Sequence, residues 1–492
     1  MKKSFDNKKY IELQTKKILD RVSQFDDKLY IEFGGKLFDD YHASRVLNGF
    51  EIDSKVQVLK TLKKKLEVII AISAEAIQSG KTRSDINLTY EDDVLLLIDK
   101  FEHSGLTVSG VVITMFQDQP LARIFINKLN NLGIKTYKHY PIDGYPFNTD
   151  FILSEEGFGK NDYVITTHPI VVVTGPGPGS GKMATCLSQL YHENKHNIKA
   201  GYAKYETFPI WNLPLKHPVN LAYEAATADL DDVNMIDYFH LEKYGETTVN
   251  YNRDLESYPV LNQIFTKIYG ESPYASPTDM GVNMVGFAIK DDEQAKKDSI
   301  QEIIRRYLDA LVYNKIGKFN DNAVTKIEYI MNDLNITVDN RKVVPAAIKR
   351  TNEINRPVCA LEIGKKIIYG KKSDLFTASA ACIINALKYL AKLPKDISLL
   401  SKAILDPIQE FKVKSLHRST KRLYLNDVLI AIAITAQNND MARVALKQLD
   451  KLAGCELHCS VMINNEDLEI LKRLKINATM GTYQDTKLLT GN

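Results

Sequence analysis

Apolar and polar positions follow two different patterns over the first two hundred residues, one typical of strands and one typical of helices. Short, mostly β-branched apolar runs predict buried strands, and between them lie stretches whose apolar residues recur at helical spacing. The predicted strands are residues 28–33, 68–72, 110–114, 134–137, 170–173 and 200–205. The predicted helices are residues 54–66, 91–102, 120–132 and a stretch that ends at Tyr191. This alternation predicts an α/β fold built on a doubly wound, mainly parallel sheet with right-handed crossovers.

The pattern changes after about residue 220. Helical spacing dominates to about residue 334, and the rest of the chain mixes helices near 378–393 and 425–438 with a strand at 459–463. A chain of 492 residues is too long for one ordinary core. We predict a Rossmann-like, P-loop-like α/β domain over residues 1–220, a mainly helical domain over 221–335 and a C-terminal α/β subdomain over 336–492.

The composition removes several classes of function. Apolar residues make up 44% of the chain and charged residues 25%, and the formal net charge is +3. Because both signs are mixed along the chain, binding to nucleic acid through bulk positive charge is not expected. No apolar run reaches the roughly 18 residues that span a bilayer, so no membrane association is expected. Five mostly scattered cysteines and a polar N-terminus predict a cytoplasmic protein.

The segment after the strand at 170–173 carries the strongest chemical signal. It reads T-G-P-G-P-G-S-G-K from Thr174 to Lys182. Glycines let the backbone turn its N–H groups toward a phosphate, a lysine adds positive charge, and the N-terminus of the next helix faces the anion. The residues predicted to bind the phosphate of ATP, of another nucleotide or of a small phosphorylated metabolite are Gly175, Gly177, Gly179, Ser180, Gly181, Lys182 and Thr185.

The spacing of this glycine loop differs from the common pattern G-x-x-x-x-G-K-[ST]. Pro176 occupies the place of the first glycine of that pattern. The segment from Gly175 to Lys182 instead fits a form one residue longer, G-x-x-x-G-x-G-K. Over about a dozen residues it resembles the loop of dethiobiotin synthetase and its ATP-dependent relatives. A tight strand–helix turn that binds no ligand is the structural alternative.

The residue after the lysine bears on the metal requirement. A hydroxyl that binds Mg²⁺ normally follows the lysine, but Met183 stands there, and a thioether is a poor ligand for a hard cation. Ser180 and Thr185 are the nearest hydroxyls, and neither is at the usual position. The sequence therefore predicts phosphate binding and leaves Mg²⁺ and any metal ligands open.

Three long blocks give the chain a wider resemblance. They read YIEFGGKLFDDYHA over residues 30–43, GPGSGKMATC over 177–186 and TFPIWNLPLKHPVN over 207–220. From about residue 4 to residue 480 the chain resembles a bacterial protein family without an established activity. The resemblance implies an N-terminal α/β region, a helical insertion and a C-terminal α/β subdomain, and Met183 belongs to the family's pattern. It supplies no catalytic residue.

A second glycine pair ends the first predicted strand. Gly34, Gly35 and Lys36 follow it at the carboxyl edge, where doubly wound sheets place their ligands. The two glycines allow a ligand to approach the backbone closely, and Lys36 is placed to meet a phosphate. Asp39, Asp40 and His42 follow as candidates for a metal ligand or a general base, with a turn and a solvated helix start as the alternative. This loop and the glycine loop are predicted to frame one cleft.

The stretch from Lys204 to Asn234 is rich in polar and aromatic residues and shows no helical periodicity. Long irregular stretches just after a sheet strand are often binding loops. Glu206 and His217 are its candidates for acid–base chemistry or metal binding.

These features predict an enzyme, a nucleotide-dependent transferase or ligase, whose glycine loop binds a nucleotide or a phosphorylated metabolite. Lys182 would stabilise phosphate charge, while Lys36, Glu206 and His217 would face the second substrate. The alternatives are a non-catalytic nucleotide or metabolite sensor and a phosphate-ester hydrolase. A buried helical region and a C-terminal domain without an evident site favour a homo-oligomer.

Overall fold

A computed structural model describes residues 3–83, 88–317 and 321–483, and these form two compact units. The first unit comprises Lys2–Glu224 and Asp232–Asp298, and the second comprises Ala225–Asp231 and Ser299–Asn492. The boundaries at residues 220 and 335 that the sequence suggests stay predictions.

The strands are β1 Leu29–Phe33, β2 Leu66–Ser73, β3 Thr82–Arg83, β4 Leu88–Thr89, β5 Thr107–Thr114, β6 Thr136–Lys138, β7 Ile170–Thr174, β8 Gly201–Tyr205, β9 Asn234–Ile236, β10 Val249–Tyr251, β11 Val358–Ile363, β12 Lys366–Lys371, β13 Glu456–Cys459 and β14 Asn477–Met480. The helices of the first two hundred residues are α1 Asn7–Val22, α2 Tyr41–Val46, α3 Ser54–Thr61, α4 Ala74–Gln78, α5 Tyr90–His103, α6 Pro120–Asn131, α7 Thr149–Ile152 and α8 Lys182–Lys195. The later helices are α9 Pro218–Ala226, α10 Tyr238–Tyr244, α11 Asn252–Tyr269, α12 Pro277–Met280, α13 Asp292–Lys315, α14 Asp321–Asp333, α15 Val343–Ile354, α16 Ala378–Leu390, α17 Lys402–Lys414, α18 Leu425–Thr435, α19 Asp440–Leu446 and α20 Asn465–Arg473.

A six-stranded sheet in the order β6-β5-β2-β7-β1-β8 forms the centre of the first unit. All of its pairs are parallel. Its central strands β2 and β7 are buried at every position, as their nearly continuous apolar runs require. The predicted doubly wound α/β class is confirmed.

The direction of the crossovers reverses beside β7. From β1 the chain crosses to β2, β5 and β6 on one side, then returns to β7 and crosses β1 to reach β8 on the other side. Right-handed crossovers in opposite directions place their helices on opposite faces of the sheet. The loops that follow the neighbouring strands β1 and β7 therefore diverge at the carboxyl edge, which is where doubly wound sheets have their ligand crevice.

Helices α8 and α11 cover one face of this sheet. Cys186, Leu187 and Leu190 of α8 share a buried cluster with Val171 and Val173 of β7. From α11, Tyr258, Leu261, Ile264 and Phe265 complete that cluster. Burial of these side chains fixes where α8 begins, and with it where the glycine loop lies.

Several predicted element boundaries are wrong in detail. The helix predicted over 54–66 ends at Thr61, and a short 3₁₀ turn at Lys63–Lys65 leads directly into β2. The stretch 204–234 is not wholly irregular, because it contains α9 and the start of β9. With nine residues, α9 has too few turns to establish a helical periodicity in the sequence.

The second unit contains a smaller, mixed sheet in the order β12-β11-β13-β14. Only its β13–β14 pair is parallel. Helices α15 and α16 pack on its strands, which confirms the predicted C-terminal α/β subdomain. The strand predicted at 459–463 lies earlier, at Glu456–Cys459, because the apolar residues that follow it, among them Ile463, pack on the core from a non-strand segment.

Candidate functional site

The glycine loop joins β7 to α8 and lies at the crevice where the crossovers reverse. Gly179 and Gly181 adopt φ values of 78° and 84°, which side-chain-bearing residues rarely adopt. Gly181 is the N-cap residue of α8 and provides no side-chain capping bond. The sequence uses glycine here because the backbone must turn from the end of a strand straight into a helix.

Other glycines of the loop allow close packing. A Cβ on Gly175 would lie 2.4 Å from the carbonyl oxygen of Ala71, and one on Gly177 would lie 2.4 Å from the hydroxyl of Tyr90. Both distances are far below van der Waals contact, so the loop can lie against β2 and α5 only with glycine at these two positions.

Two hydroxyl groups of the loop are used internally. The Ser180 hydroxyl donates to the carbonyl oxygen of Gly177 at 2.6 Å, and the Thr185 hydroxyl donates to that of Gly181 at 2.9 Å. The Thr114 hydroxyl donates to the Ser180 carbonyl oxygen at 3.0 Å from the end of β5. These bonds fix the shape of the loop.

The outer part of the loop presents hydrogen-bond donors. Across residues 3–83, 88–317 and 321–483, no hydrogen bond takes up the backbone N–H groups of Gly179, Gly181 or Lys182. Gly179 is exposed, and the other two residues are half-buried. The Lys182 ammonium reaches back across the loop to the Gly177 carbonyl oxygen at 3.4 Å. N–H groups at a helix N-terminus together with a lysine form an arrangement suited to an anion.

The loop after β1 meets a side chain from β8. A Cβ on Gly34 would lie 2.2 Å from Oε1 of Glu206, so the carboxylate occupies the space that any side chain at residue 34 would need. Gly35 has a φ of 66° and is exposed. Lys36 is exposed too, and its carbonyl oxygen accepts a hydrogen bond from the buried Lys55 ammonium at 2.8 Å. The structure thus brings Gly34 and Glu206 together.

Four charged side chains gather at this end of β1 and β8. The Lys204 ammonium lies 2.5 Å from Oδ1 of Asp254 and 3.3 Å from Oε1 of Glu206. Glu32 lies on β1 beside Lys204 in the strand register and accepts a hydrogen bond of 2.6 Å from the Tyr202 hydroxyl. Three carboxyl groups therefore share one ammonium, and the group (Glu32, Lys204, Glu206 and Asp254) is called the edge quartet below.

The edge quartet perturbs its own protonation. Burial raises the pKa of Glu206, Lys204 lowers it, and the neighbouring Asp254 and Glu32 carboxylates raise it again, with a net pKa of about 7. Burial disfavours the charge of Lys204, but Asp254, Glu206 and Glu32 more than offset this and raise the pKa of its ammonium. Lys204 is therefore charged at neutral pH, while Glu206 is divided between its two protonation states.

The buried thiol of Cys186 lies near charged groups of both loops. Cys186, on the first turns of α8, has its pKa raised by burial and by Glu32 and lowered by Lys182. Because one thiol senses both charges, the lysine of the glycine loop and a carboxylate of the edge quartet lie in the same neighbourhood. The prediction that the loops after β1 and β7 lie at one edge is in agreement with the sheet order.

His217 is bonded to residues outside the glycine loop and the edge quartet. Its Nδ1 accepts a hydrogen bond from the Val219 N–H at 3.3 Å, and its Nε2 lies 2.9 Å from Oδ1 of Asp292. Burial lowers the pKa of this imidazole, and Asp292 raises it in part. Among the described contacts none joins His217 to the glycine loop or to Glu206. It pairs with Asp292 beside the start of α9 instead of joining Glu206.

The polar residues that follow Lys36 also have local partners. Asp40 pairs with the buried Lys55 at 2.9 Å, and Asp39 pairs with Lys100 at 3.0 Å beside an open surface depression. The His42 ring packs edge-on against Phe208 at 5.2 Å. These contacts indicate packing and charge pairing around the loop.

Sequence reasoning does not identify Asp254 and Tyr202 as members of the group around Glu206. Asp254 lies on the first turn of α11, in a segment that looks like a polar turn, and Tyr202 looks like an ordinary strand residue. Tyr145 lies near Glu32 as well, since burial and that carboxylate raise the pKa of its phenol to about 12. The contacts of Asp254 and Glu32 with this group join segments far apart in sequence, so no spacing signals them. Tyr202, Lys204 and Glu206, in contrast, stand at alternate positions along and just after β8.

The fold and the edge geometry define a doubly wound α/β protein with a glycine loop at its topological switch point. In the described residues no helix combines the length and the apolar character needed to cross a bilayer.

The chain belongs to the family described as domain of unknown function DUF1846, whose N-terminal model matches residues 3–335 and whose C-terminal model matches residues 339–489. It is 53% identical over 483 residues to the UPF0371 protein stu1377 of Streptococcus thermophilus, covering 98% of both chains. It is 52% identical over 487 residues to the UPF0371 protein SpyM50764 of Streptococcus pyogenes, covering 99% of both chains. The resemblance to a bacterial family without an established activity is confirmed.

Proposed function

We propose that this protein binds a nucleotide or a phosphorylated metabolite through a phosphate group held on the Gly175–Lys182 loop. The observation that carries the proposal is the set of unused N–H groups of Gly179, Gly181 and Lys182 at the start of α8. They lie beside the Lys182 ammonium at the crevice between β7 and β1, which is where doubly wound sheets bind their ligands.

The chemistry that suits this arrangement is phosphoryl transfer or a ligase-type reaction. Such reactions depend mainly on positioning and on stabilising phosphate charge, which the loop amides and Lys182 supply. Glu206 would face the second substrate from across Gly34. Lys36 is exposed beside the same glycines and would meet the outer part of the ligand.

A non-catalytic sensor is the second candidate, and one feature favours it. Met183 gives no oxygen ligand after the lysine, and the Ser180 and Thr185 hydroxyls both donate within the loop. A protein that only recognises phosphate has no need of a Mg²⁺ ligand at that position. Ligand binding without Mg²⁺ and without turnover would favour the sensor.

The first experiment measures binding of inorganic phosphate, ATP and sugar phosphates by calorimetry, with and without Mg²⁺. Lys182→Ala removes the loop charge, and we expect affinity to fall about 10- to 100-fold, since a hydrogen bond to a charged group contributes about 1.5–3 kcal/mol. Lys195→Ala is the matched control, because Lys195 lies in the last turn of the same helix and pairs with Glu155.

The control variant should bind every ligand as the unmodified protein does. If Lys182→Ala binds all phosphate ligands with unchanged affinity while remaining folded, the assignment of the loop is wrong. A loss seen equally in Lys195→Ala would point to the stability of α8 instead of to the site.

A further inference from the structure

The crevice has opposite charge at its two ends. On the β7 side the loop offers N–H groups and the Lys182 ammonium. On the β8 side, two strands away, three carboxyl groups surround the single ammonium of Lys204. Two strand spacings amount to roughly 10 Å, and Gly34 and Gly35 lie between the two ends. A ligand that spans this distance needs an anionic end and an end that carries no negative charge.

The charge balance of the edge quartet limits what that second end can be. A carboxylate or a second phosphate there would face Glu32, Glu206 and Asp254, among which Lys204 is the paired ammonium. The Lys55 ammonium lies 3.8 Å from the position of a Cβ on Gly35, but its charge is balanced by Asp40 at 2.9 Å. An ammonium group would have to share these carboxylates with the Lys204 ammonium, which already lies 2.5 Å from Asp254. The same ammonium occupies the place that a metal cation bound by these carboxylates would need.

A hydroxyl group brings neither a negative charge that the carboxylates would repel nor a positive charge that would compete with the Lys204 ammonium. A hydroxyl is neutral, and it donates to an ionised carboxylate or accepts from a protonated one. Glu206 passes between these two forms near neutral pH, because burial and the neighbouring carboxylates raise its pKa to about 7. The Tyr223 hydroxyl lies 4.0 Å from the position of a Cβ on Gly35, so a polar group from α9 also faces the exposed glycine.

We infer that the ligand of the glycine loop is a phosphate monoester of a neutral polyhydroxyl compound, a sugar phosphate, whose hydroxyl groups lie over Gly34 and Gly35 and bind to Glu206. This inference rests on the proposed phosphate binding by the loop and names the class of ligand. Glu206 determines specificity here, and the glycines leave room for the sugar.

The groups that control the charge of Glu206 come from every element around it. They are Glu32 on β1, Lys204 on β8, Tyr223 on α9, Tyr251 on β10 and Asp254 on α11, while Tyr202 on β8 donates its hydrogen bond to Glu32. The phenols have raised pKa values and stay neutral near pH 7. Lys204 stays charged, and the pKa of Glu206 lies near neutral pH.

The test compares glucose 6-phosphate with 6-phosphogluconate, which carries a carboxylate at the end opposite its phosphate. Titration of the phosphate affects both ligands alike, so the ratio of their dissociation constants isolates the second end. We expect 6-phosphogluconate to bind more weakly, and the ratio to rise about tenfold between pH 6 and pH 8.5 as Glu206 ionises. In Glu206→Gln the ratio should stay flat, while Glu155→Gln, a change at an exposed carboxylate, should behave as the unmodified protein.

The possible results separate this inference from the proposed function. If inorganic phosphate binds in a Lys182-dependent way but glucose 6-phosphate binds no more tightly, the polyhydroxyl ligand is excluded and the phosphate loop stands. A preference for glucosamine 6-phosphate over glucose 6-phosphate, or equal binding of 6-phosphogluconate at all pH values, also overturns the inference. If Glu206→Gln does not fold, the ratio measured against pH in the unmodified protein still decides. Loss of Lys182 dependence for every ligand would overturn both proposals.

Discussion

Arg341 of the second unit and Lys204 of the first are both paired with carboxylates away from bulk solvent, and they differ in how completely their charge is balanced. In the second unit the guanidinium of Arg341 is fully buried and donates to Glu456, to the Thr479 hydroxyl and to the carbonyl oxygens of Leu457 and Asn477. One carboxylate balances its charge, and neutral oxygens take its remaining donors. Such an arrangement holds neighbouring strands together and leaves no charge that changes easily.

In the first unit the ammonium of Lys204 is shared by carboxylates that outnumber it. Asp254 and Glu206 both lie within 3.3 Å of it, and Glu32 adds a third negative charge. Burial, together with the Asp254 and Glu32 carboxylates, raises the pKa of Glu206 to about 7 against the opposing effect of Lys204. A balanced buried charge stabilises a fold, whereas an unbalanced one leaves a group whose proton is easily gained or lost. Titratable groups of that second kind are found more often at functional sites.

The largest effect should come from breaking the balanced charge. Arg341→Ala leaves the Glu456 carboxylate without its partner and empties the space of a fully buried side chain. We expect the second unit to lose about 3–5 kcal/mol of unfolding free energy, measured by urea titration.

The control for this change is Arg473→Ala, since the Arg473 side chain is 73% exposed and pairs with Glu469 on the surface. It should change the urea midpoint little. If the urea midpoint of Arg341→Ala changes as little as that of Arg473→Ala, the buried Arg341 guanidinium does not stabilise the second unit as described above.

A smaller effect of known sign should come from neutralising Glu206. Its pKa of about 7 in the folded protein lies above the usual value of 4.5, so the folded protein holds this proton more tightly than the unfolded chain does. Stability from this group is therefore present below the unfolded pKa and is lost as pH rises toward 7. Glu206→Gln keeps the neutral form at all pH values, and relative to the unmodified protein it should gain about 2 kcal/mol between pH 5 and pH 8.

Thermal or urea unfolding of the two proteins at several pH values measures this gain. Glu155→Gln should show no such gain, because Lys195 lowers the pKa of Glu155 and the side chain is 74% exposed. A Glu206→Gln profile parallel to that of the unmodified protein would mean that the edge quartet is balanced, as in the second unit.

The smallest effect compares two glycines with positive φ. Gly181→Ala places a methyl group 2.7 Å from the Thr114 side chain at a φ of 84°, whereas Gly364→Ala, at a φ of 60°, meets no atom within 4 Å. We expect Gly364→Ala to cost about 1 kcal/mol from the left-handed backbone alone, and Gly181→Ala somewhat more.

Phosphate binding separates the two glycines further. Gly181→Ala should weaken binding of inorganic phosphate in calorimetry, because it moves the N–H groups at the start of α8. Gly364→Ala lies in the β11–β12 turn of the other unit and should leave binding unchanged. Equal affinity in both variants would count against the glycine loop as the phosphate site.

Much of the first unit could be predicted from the sequence, and the reasons are local. The apolar run Ile170–Thr174, followed by glycines and Lys182, predicts a strand, a turn and a helix in that order. The sheet class follows from the alternation of such runs. Boundaries were less accurate where an element is short, as for α9, or where apolar residues pack on the core outside a strand, as at Ile463.

The candidate site could be predicted only in part. Glu206 and His217 are both candidates because they lie in the polar stretch 204–234, and the structure pairs His217 with Asp292. A polar residue near a strand end has the same appearance in the sequence whether it faces a ligand or a structural partner.

The sequence by itself determined the glycine-rich turn between β7 and α8, since backbone turns of this kind depend on glycine at fixed positions in one short segment. The tertiary structure decided the edge quartet. Glu32, Lys204 and Asp254 come together because β1 lies beside β8 and because α11 begins over that edge. The protonation of Glu206 depends on burial and on charges from three separate elements. Neither the burial nor the approach of those charges is encoded by local spacing, so they appear only once the strands have been ordered.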